Sequence, residues 1–176
     1  HNNTLENNTI NTHGQTSRGI YFLNDGKNNT AKNNIIRTRG QNSYGIEFYA
    51  NPKNNTIIGN TITTTCNYCP GMNMHLAAQN YTILNNTINT TGNHSPGIIL
   101  QDNSMDHQIN HNIILTAGSN SSGVMAVWTG HRMTITNNTI TTTGFDSHGI
   151  MVDSVNWTKV FRNTISTNAS NASSIY

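Results

Sequence analysis

Charged residues are unusually scarce in this chain. Asp, Glu, Lys and Arg make up 9% of its 176 residues, against about 25% in an average domain. The formal net charge is only +2 and the cations are scattered, whereas a nucleic-acid-binding protein presents a basic stripe. No apolar run approaches the length of a membrane span. We therefore predict neither a nucleic-acid partner nor a membrane span.

Aromatic residues are also few, at 7%, and a chain with little charge and few aromatics could be disordered. Uncharged polar residues take the place of charge here, with 32 Asn and 26 Thr. A pair made of glycine and an apolar residue recurs at one fixed interval, at Gly19-Ile20, Gly45-Ile46, Gly71-Met72, Gly97-Ile98, Gly123-Val124 and Gly149-Ile150. A disordered chain would not keep this apolar register, so we reject disorder.

Each repeating unit contains three short segments in which apolar and polar residues alternate, with Gly, Asn or Ser between them. Alternation with a period of two is typical of β-strands. Three strands per unit, repeated in register, form one coil of a parallel β-helix. We therefore predict an all-β solenoid of nearly seven coils that forms a single domain over residues 1–176.

Residues that are one repeat apart should stack from coil to coil. Apolar columns, including one that runs from Leu5 to Phe161, are predicted to fill the interior. A column of asparagines is predicted to form a hydrogen-bonded ladder at a turn. Cys66 and Cys69 occupy positions where other units have Gly and Ser. We expect them to be two buried thiols or one local disulfide rather than a metal site.

The repeated Asn-Thr-Ile and Gly-Ile phrases resemble the repeats of NosD-like and pectin-lyase-like proteins over nearly the whole chain. The resemblance implies a single-stranded right-handed parallel β-helix. It implies no particular activity, because that group includes polysaccharide lyases, hydrolases, surface proteins and modules without assigned chemistry.

The few carboxylates do not stack on one another. Asp25 and Glu47, for example, share their columns only with residues that are not acidic. The hydrolases that the chain resembles need clustered acids, and the lyases need carboxylates that hold calcium. We therefore predict no catalytic residue, metal site or cofactor. A polysaccharide lyase or glycoside hydrolase remains the alternative function.

The outward side of the Gly-Ile strand carries the most function-like surface. Its first half offers aromatic rings, a carboxylate, amides and an imidazole, which suit the apolar faces and hydroxyls of sugars. The candidate carbohydrate-binding residues are Tyr21, Glu47, Tyr49, Asn73, His75 and Gln101. Its second half is an apolar strip, which usually contacts another protein or chain segment. The candidate protein-contact residues are Ile99, Met125, Val127, Trp128 and Met151.

Two further expectations concern the rest of the surface. Asp106 and Arg132 share a column one coil apart, which predicts a structural ion pair. Outward Thr residues in several coils are similar to an ice-binding surface, but residues such as Arg37 and Leu115 interrupt the array. Ice binding is therefore a minor alternative, and Thr as a good strand former is the preferred interpretation.

The chain begins inside one strand of a coil and stops partway through another. We expect either an uncapped segment of a larger β-helix or a subunit that stacks head to tail on copies of itself into a filament. The preferred function is an extracellular or cell-surface module with a structural or adhesive role, with polysaccharide and further copies of the chain as candidate partners.

Overall fold

The computed structural model describes residues 2–128 and 130–176. Within these residues the chain forms twenty strands, β1 to β20, and no helix. The strands make three parallel sheets, A, B and C, with seven, seven and six strands. Each strand pairs in register with the equivalent strand of the next coil, as in Ile88 with Ile114. The predicted β-solenoid is confirmed.

Three short strands of each coil go to three different sheets. Sheet A contains β1 (Thr4–Glu6), β4 (Thr30–Lys32), β7 (Thr56–Ile58), β10 (Thr82–Leu84), β13 (Gln108–Asn110), β16 (Thr134–Thr136) and β19 (Lys159–Phe161). Sheet B contains β2 (Thr9–Thr12), β5 (Ile35–Thr38), β8 (Thr61–Thr64), β11 (Thr87–Thr90), β14 (Ile113–Thr116), β17 (Thr139–Thr142) and β20 (Thr164–Thr167). Sheet C contains β3 (Arg18–Leu23), β6 (Tyr44–Tyr49), β9 (Met72–Met74), β12 (Ile98–Leu100), β15 (Val124–Val127) and β18 (Ile150–Asp153).

The core is a continuous stack of inward side chains. Ile36, Ile62 and Ile98 are fully buried, because alternation along each strand turns one face of every sheet inward. The predicted Asn ladder is present at the turn between sheets A and B. Asn34 Nδ2 donates to Asn60 Oδ1 at 2.9 Å, and Asn60 repeats the bond to Asn86 at 3.0 Å. Buried amides therefore satisfy one another along the solenoid axis.

The register slips by one residue in the last coil, before the predicted interior column reaches Phe161. Val127 pairs with Asp153 at the regular repeat spacing, but His131 pairs with Asn156, which is one position short of that spacing. The turn between these two pairs is therefore shorter by a single residue in the last coil. Val160 consequently lies opposite Ile135. The assignment of Phe161 to the interior column is wrong, since this side chain is 44% exposed.

One interior column changes its chemistry along the axis. The backbone N–H of Asn29 donates to Asn55 Oδ1 at 2.8 Å, but the next two members of the column are Tyr81 and His107. Their rings are in contact, with centroids 5.0 Å apart, and both side chains are fully buried. A titratable imidazole therefore lies inside the apolar core.

Cys66 and Cys69 form a disulfide, which decides between the two states expected for them. Cys69 Sγ lies 3.3 Å from the Gly40 carbonyl oxygen. In an equivalent coil, Ser121 Oγ donates to the Gly92 carbonyl oxygen at 3.0 Å. A disulfide sulfur carries no hydrogen to donate. The coil with the disulfide therefore lacks the hydrogen bond to the neighbouring carbonyl that the Ser hydroxyl makes in the equivalent coil.

Returning both positions to the residues of the other coils tests this exchange. For Cys66→Gly combined with Cys69→Ser, we expect the free energy of unfolding to fall by only about 1 kcal/mol. Removing so short a disulfide loop costs about 2 kcal/mol, and the new hydroxyl hydrogen bond recovers about 1 kcal/mol. Urea unfolding measures the change. The control, Cys66→Gly with Cys69→Ala, should be less stable than the serine variant; equal stability of the two would contradict the exchange.

Candidate binding face of sheet C

The outward side chains of sheet C form two neighbouring columns, which we call the sheet C face. The first column is Tyr21, Glu47, Asn73, Ile99, Met125 and Met151. The second is Leu23, Tyr49, His75, Gln101, Val127 and Asp153, in which His75 and Gln101 directly follow strands β9 and β12. Strand pairing in register brings the six candidate carbohydrate-binding residues onto neighbouring coils, as the sequence columns predict.

Glu47 is not open to solvent on this face, because its side chain is only 2% exposed. Its carboxylate accepts hydrogen bonds from Arg18 Nε at 2.5 Å and from Asn73 Nδ2 at 3.4 Å. His75 Nε2 lies 3.2 Å from Glu47 Oε1. A ligand on the sheet C face would meet these partners before it met the carboxylate.

The Glu47 carboxylate is held in its ionised form. Burial alone would raise the pKa of the Glu47 carboxyl. Hydrogen bonds from His75 and Arg18, together with the positive charge of Arg18, outweigh burial and hold that pKa below its usual range. Glu47 is therefore unsuited to donating a proton at neutral pH.

Arg18 covers the carboxylate and belongs to the site, although the sequence columns do not reveal it. Its guanidinium carbon lies 5.3 Å from the ring centroids of both Tyr21 and Tyr44, within the range of cation–π attraction. Arg18 Nη1 also donates to the Thr16 carbonyl oxygen. The contact between Arg18 and Glu47 runs diagonally to the next coil, so a search along single columns misses it.

The accessible part of the face is amphipathic. Tyr21 is 43% exposed, and Tyr49 and Gln101 are half-buried. The Tyr49 and His75 rings meet edge to face with centroids 4.6 Å apart. Gln101 Nε2 donates to Asn73 Oδ1 at 3.4 Å. These contacts orient the polar groups, and Arg18 lies over the ring of the exposed Tyr21.

The apolar half of the face is less open than the sequence suggests. Ile99, Met125 and Met151 are half-buried, and Val127 is only 1% exposed. Trp128, at the following corner, is 56% exposed. Trp128 is therefore the most accessible of the five candidate protein-contact residues.

The predicted ion pair between Asp106 and Arg132 is present. Arg132 Nε donates to Asp106 Oδ1 at 2.7 Å, and Arg132 Nη2 donates to Asp106 Oδ2 at 2.8 Å. The hydrogen bond from Arg132 and its positive charge hold the pKa of the Asp106 carboxyl below its usual range. Asp106 therefore stays ionised at neutral pH and fixes the direction of the guanidinium.

Side chains of the types that bind metals do not cluster in residues 2–128 and 130–176. Within these ranges no three His, Cys, Asp or Glu side chains come together as possible metal ligands. In the same part of the chain no helix is long and apolar enough to cross a membrane.

Among solved structures, the chain is similar to a trypsin-treated form of QnrB1, "a plasmid-mediated fluoroquinolone resistance protein", at 7% identity over 86% of this chain and 92% of that chain, with a TM-score of 0.20. It is also similar to the "catalytic domain of GH87 alpha-1,3-glucanase in complex with nigerose", at 10% identity over 96% of this chain and 59% of that chain, with a TM-score of 0.16. No curated protein matches the chain. The family model described as "Right handed beta helix region" matches residues 1–140. With that match and three parallel sheets in register, the chain belongs to the right-handed β-helix family.

Proposed function

We propose that this protein is a non-catalytic β-helix module that contacts carbohydrate through the sheet C face. Tyr21 and Tyr49 supply ring surfaces that can stack on the apolar faces of sugars. His75, Gln101 and Asn73 supply donors and acceptors for sugar hydroxyls. These side chains come from four consecutive coils, spaced about 4.8 Å apart, so the face suits an extended glycan that lies along the solenoid axis.

The observation that carries the proposal is the state of Glu47. A glycosidase acid must reach its substrate and hold a proton, whereas Glu47 is buried beneath Arg18 and has a lowered pKa. The same contacts keep Arg18 between Tyr21 and Tyr44. Glu47 therefore acts as an internal anchor that pre-organises a binding surface, which favours adhesion over turnover.

The Cys66–Cys69 disulfide supports a location outside the cell or at its surface, because disulfides form and persist in oxidising compartments. The overall shortage of charge favours a neutral glycan as the ligand of the sheet C face, since a surface with little charge suits neutral glycans better than charged polymers.

Aromatic truncation tests the proposed face. We expect Tyr21→Ala and Tyr49→Ala each to weaken glycan binding by about tenfold, because an aromatic contact contributes about 0.5–1.5 kcal/mol beyond its buried area. Phe145→Ala is the matched control, since Phe145 is 57% exposed and lies at the turn after sheet B, away from the face. A glycan array identifies the ligand, and titration calorimetry measures affinity. Equal loss in all three variants would contradict the proposed face.

Catalysis needs its own experiment, in which the bound glycan is incubated with the protein and assayed for new reducing ends and unsaturated products. We expect neither to appear. If the wild-type chain cleaves the glycan and Glu47→Gln does not, the proposal of an adhesive module is wrong and the lyase or hydrolase alternative is correct.

A further inference from the structure

A second surface lies at the corner just before sheet A. The same corner residue has a positive φ in every coil, and these residues are Asn2, Asn28, Asn54, Asn80, Asp106, Arg132 and Trp157. Asparagine suits this left-handed conformation, because its short polar side chain tolerates it better than other residues that carry a Cβ. The first four coils have Asn there and the fifth has Asp, which tolerates this conformation in the same way, whereas the last two coils have Arg132 and Trp157.

Arg132 and Trp157 have long side chains in a backbone conformation that disfavours them, with φ values of 54° for both. Burial does not compensate for Trp157, which is 75% exposed and is the most exposed of the large apolar side chains described. Unfavourable backbone conformations persist where the surrounding structure enforces them, and they cluster at functional sites. Folding alone would be served better by asparagine at both positions.

Two adjoining clefts open at this corner, with volumes of about 410 and 300 Å³. Arg132 and Thr134 line both. Trp157 and Lys159 line the smaller cleft, and Asp106 lines the larger. We call these five residues the Trp157 corner.

The Trp157 corner has an excess of positive charge that points to an anionic ligand. Asp106 partly neutralises Arg132 by accepting hydrogen bonds from the Arg132 Nε and Nη2 atoms. Arg132 Nη1 lies outside that pair. Among the described residues, the ion pairs at this corner do not include Lys159, so its ammonium is available to a ligand together with Arg132 Nη1.

We propose that the Trp157 corner is a second binding site, for a sugar that carries a sulfate or phosphate ester. The exposed indole provides a stacking surface for the sugar ring. Arg132 Nη1 and the Lys159 ammonium donate to the ester oxygens. This site lies on a different face from Tyr21 and Tyr49, and it does not depend on the function proposed for the sheet C face.

The geometry of Arg132 favours an ester over a carboxylate. An arginine recognises a carboxylate best through two parallel N–H···O bonds. Asp106 already occupies the Nε and Nη2 positions of Arg132 in this way. A ligand then receives single bonds from two separate cations, which suits the several oxygens of a tetrahedral ester.

Dextran derivatives on one backbone test the site: plain dextran, carboxymethyl-dextran, dextran sulfate and dextran phosphate, the three charged polymers matched in charge density, at constant ionic strength. We expect the sulfate or the phosphate form to bind at least about tenfold more tightly than the carboxymethyl form, a difference well outside measurement error. Equal binding of all three charged forms would overturn the ester assignment, and the comparison of sulfate with phosphate identifies the ester.

Substitutions then locate the site. Trp157→Asn and Lys159→Gln should each weaken binding of the preferred polymer by about tenfold. Lys53→Gln removes the same positive charge from a coil four steps away along the solenoid axis, counted through the backbone bridges from Lys53 to Asn156. This control should change the affinity by less than about twofold. If Lys53→Gln weakens binding as much as Lys159→Gln, the polymer is held by general electrostatics and the proposed site is wrong.

Trp157→Asn also separates binding from folding. Because asparagine suits the positive φ at this corner, we expect the variant to unfold at the same temperature as the wild type or higher while it loses the anionic polymer. Retention of its binding to the glycan held by Tyr21 and Tyr49 would show that the two faces act independently. A variant that unfolds earlier and keeps its affinity would contradict the assignment of Trp157 to a ligand.

Discussion

Gly97→Ala is expected to lower the free energy of unfolding by about 3 kcal/mol or more, which places it among the most damaging single substitutions. A Cβ at this position would lie 2.4 Å from Ile114 Cγ2 and 2.6 Å from the Gly123 carbonyl oxygen. The first contact is with a side chain of the packed core, and the second is with the backbone of the next coil. Neither can move without separating strands, because core packing leaves no free volume.

Urea unfolding of Gly97→Ala and Gly26→Ala provides the comparison. A Cβ at Gly26 would meet its nearest atom at 3.3 Å, so this control should lose less than about 1 kcal/mol, as surface changes usually do. Ile114→Ala combined with Gly97→Ala removes the methyl group that obstructs the new Cβ. The double variant should therefore be more stable than the sum of the two single changes predicts. Equal losses in the two glycine variants would show that coil spacing adapts to a methyl group.

The regular recurrence of glycine predicts the fold well because a solenoid converts sequence distance into contact. Residues one period apart must meet, so the Asn34–Asn60 bond and the pairing of Asp106 with Arg132 follow from spacing alone. The sequence columns wrongly keep Phe161 in the interior because the residue missing from the last coil lies in a turn. A turn carries no apolar alternation, and only the pairing of His131 with Asn156 locates the loss.

The candidate sites were predicted less completely than the fold, for physical reasons that differ between them. Arg18 reaches Glu47 diagonally across the sheet, so equal spacing does not connect them. Trp157 was missed because the argument for its role in binding depends on its positive φ, and a tryptophan in the sequence gives no indication of that backbone conformation. Comparison of equivalent corner positions finds the second case, because Arg132 and Trp157 replace the asparagine that the first four coils have there.

Between pH 7 and pH 5 we expect the fold to lose about 2 kcal/mol of unfolding free energy through one side chain, His107. Burial lowers the pKa of the His107 imidazole to about 3, although the negative charge of Asp106 opposes this effect. In the unfolded chain its pKa returns to about 6.5. The unfolded state therefore binds the proton first, so the stabilisation is complete above about pH 6.5 and is lost as the pH falls towards 3.

The surroundings of His107 explain why protonation is so unfavourable. His107 Nδ1 accepts the Tyr81 backbone N–H at 3.3 Å, so the proton of the neutral ring is on Nε2, which has no hydrogen-bond partner. Protonation would remove the acceptor for Tyr81 and place a full charge in the core. Glu47 does not share this pH window, since its lowered pKa postpones its own loss of stabilisation to more acidic conditions.

His107→Met isolates this effect, because methionine already occupies the next position of the same column at Met133, which is 1% exposed. Urea unfolding at pH 7 and pH 5 should show that the variant loses about 2 kcal/mol less than the wild type over this range. His111→Gln, which removes an exposed histidine, should keep the pH dependence of the wild type. If His107→Met and the wild type lose stability equally on acidification, the proton enters elsewhere, and the buried imidazole does not set the acid limit of this β-helix.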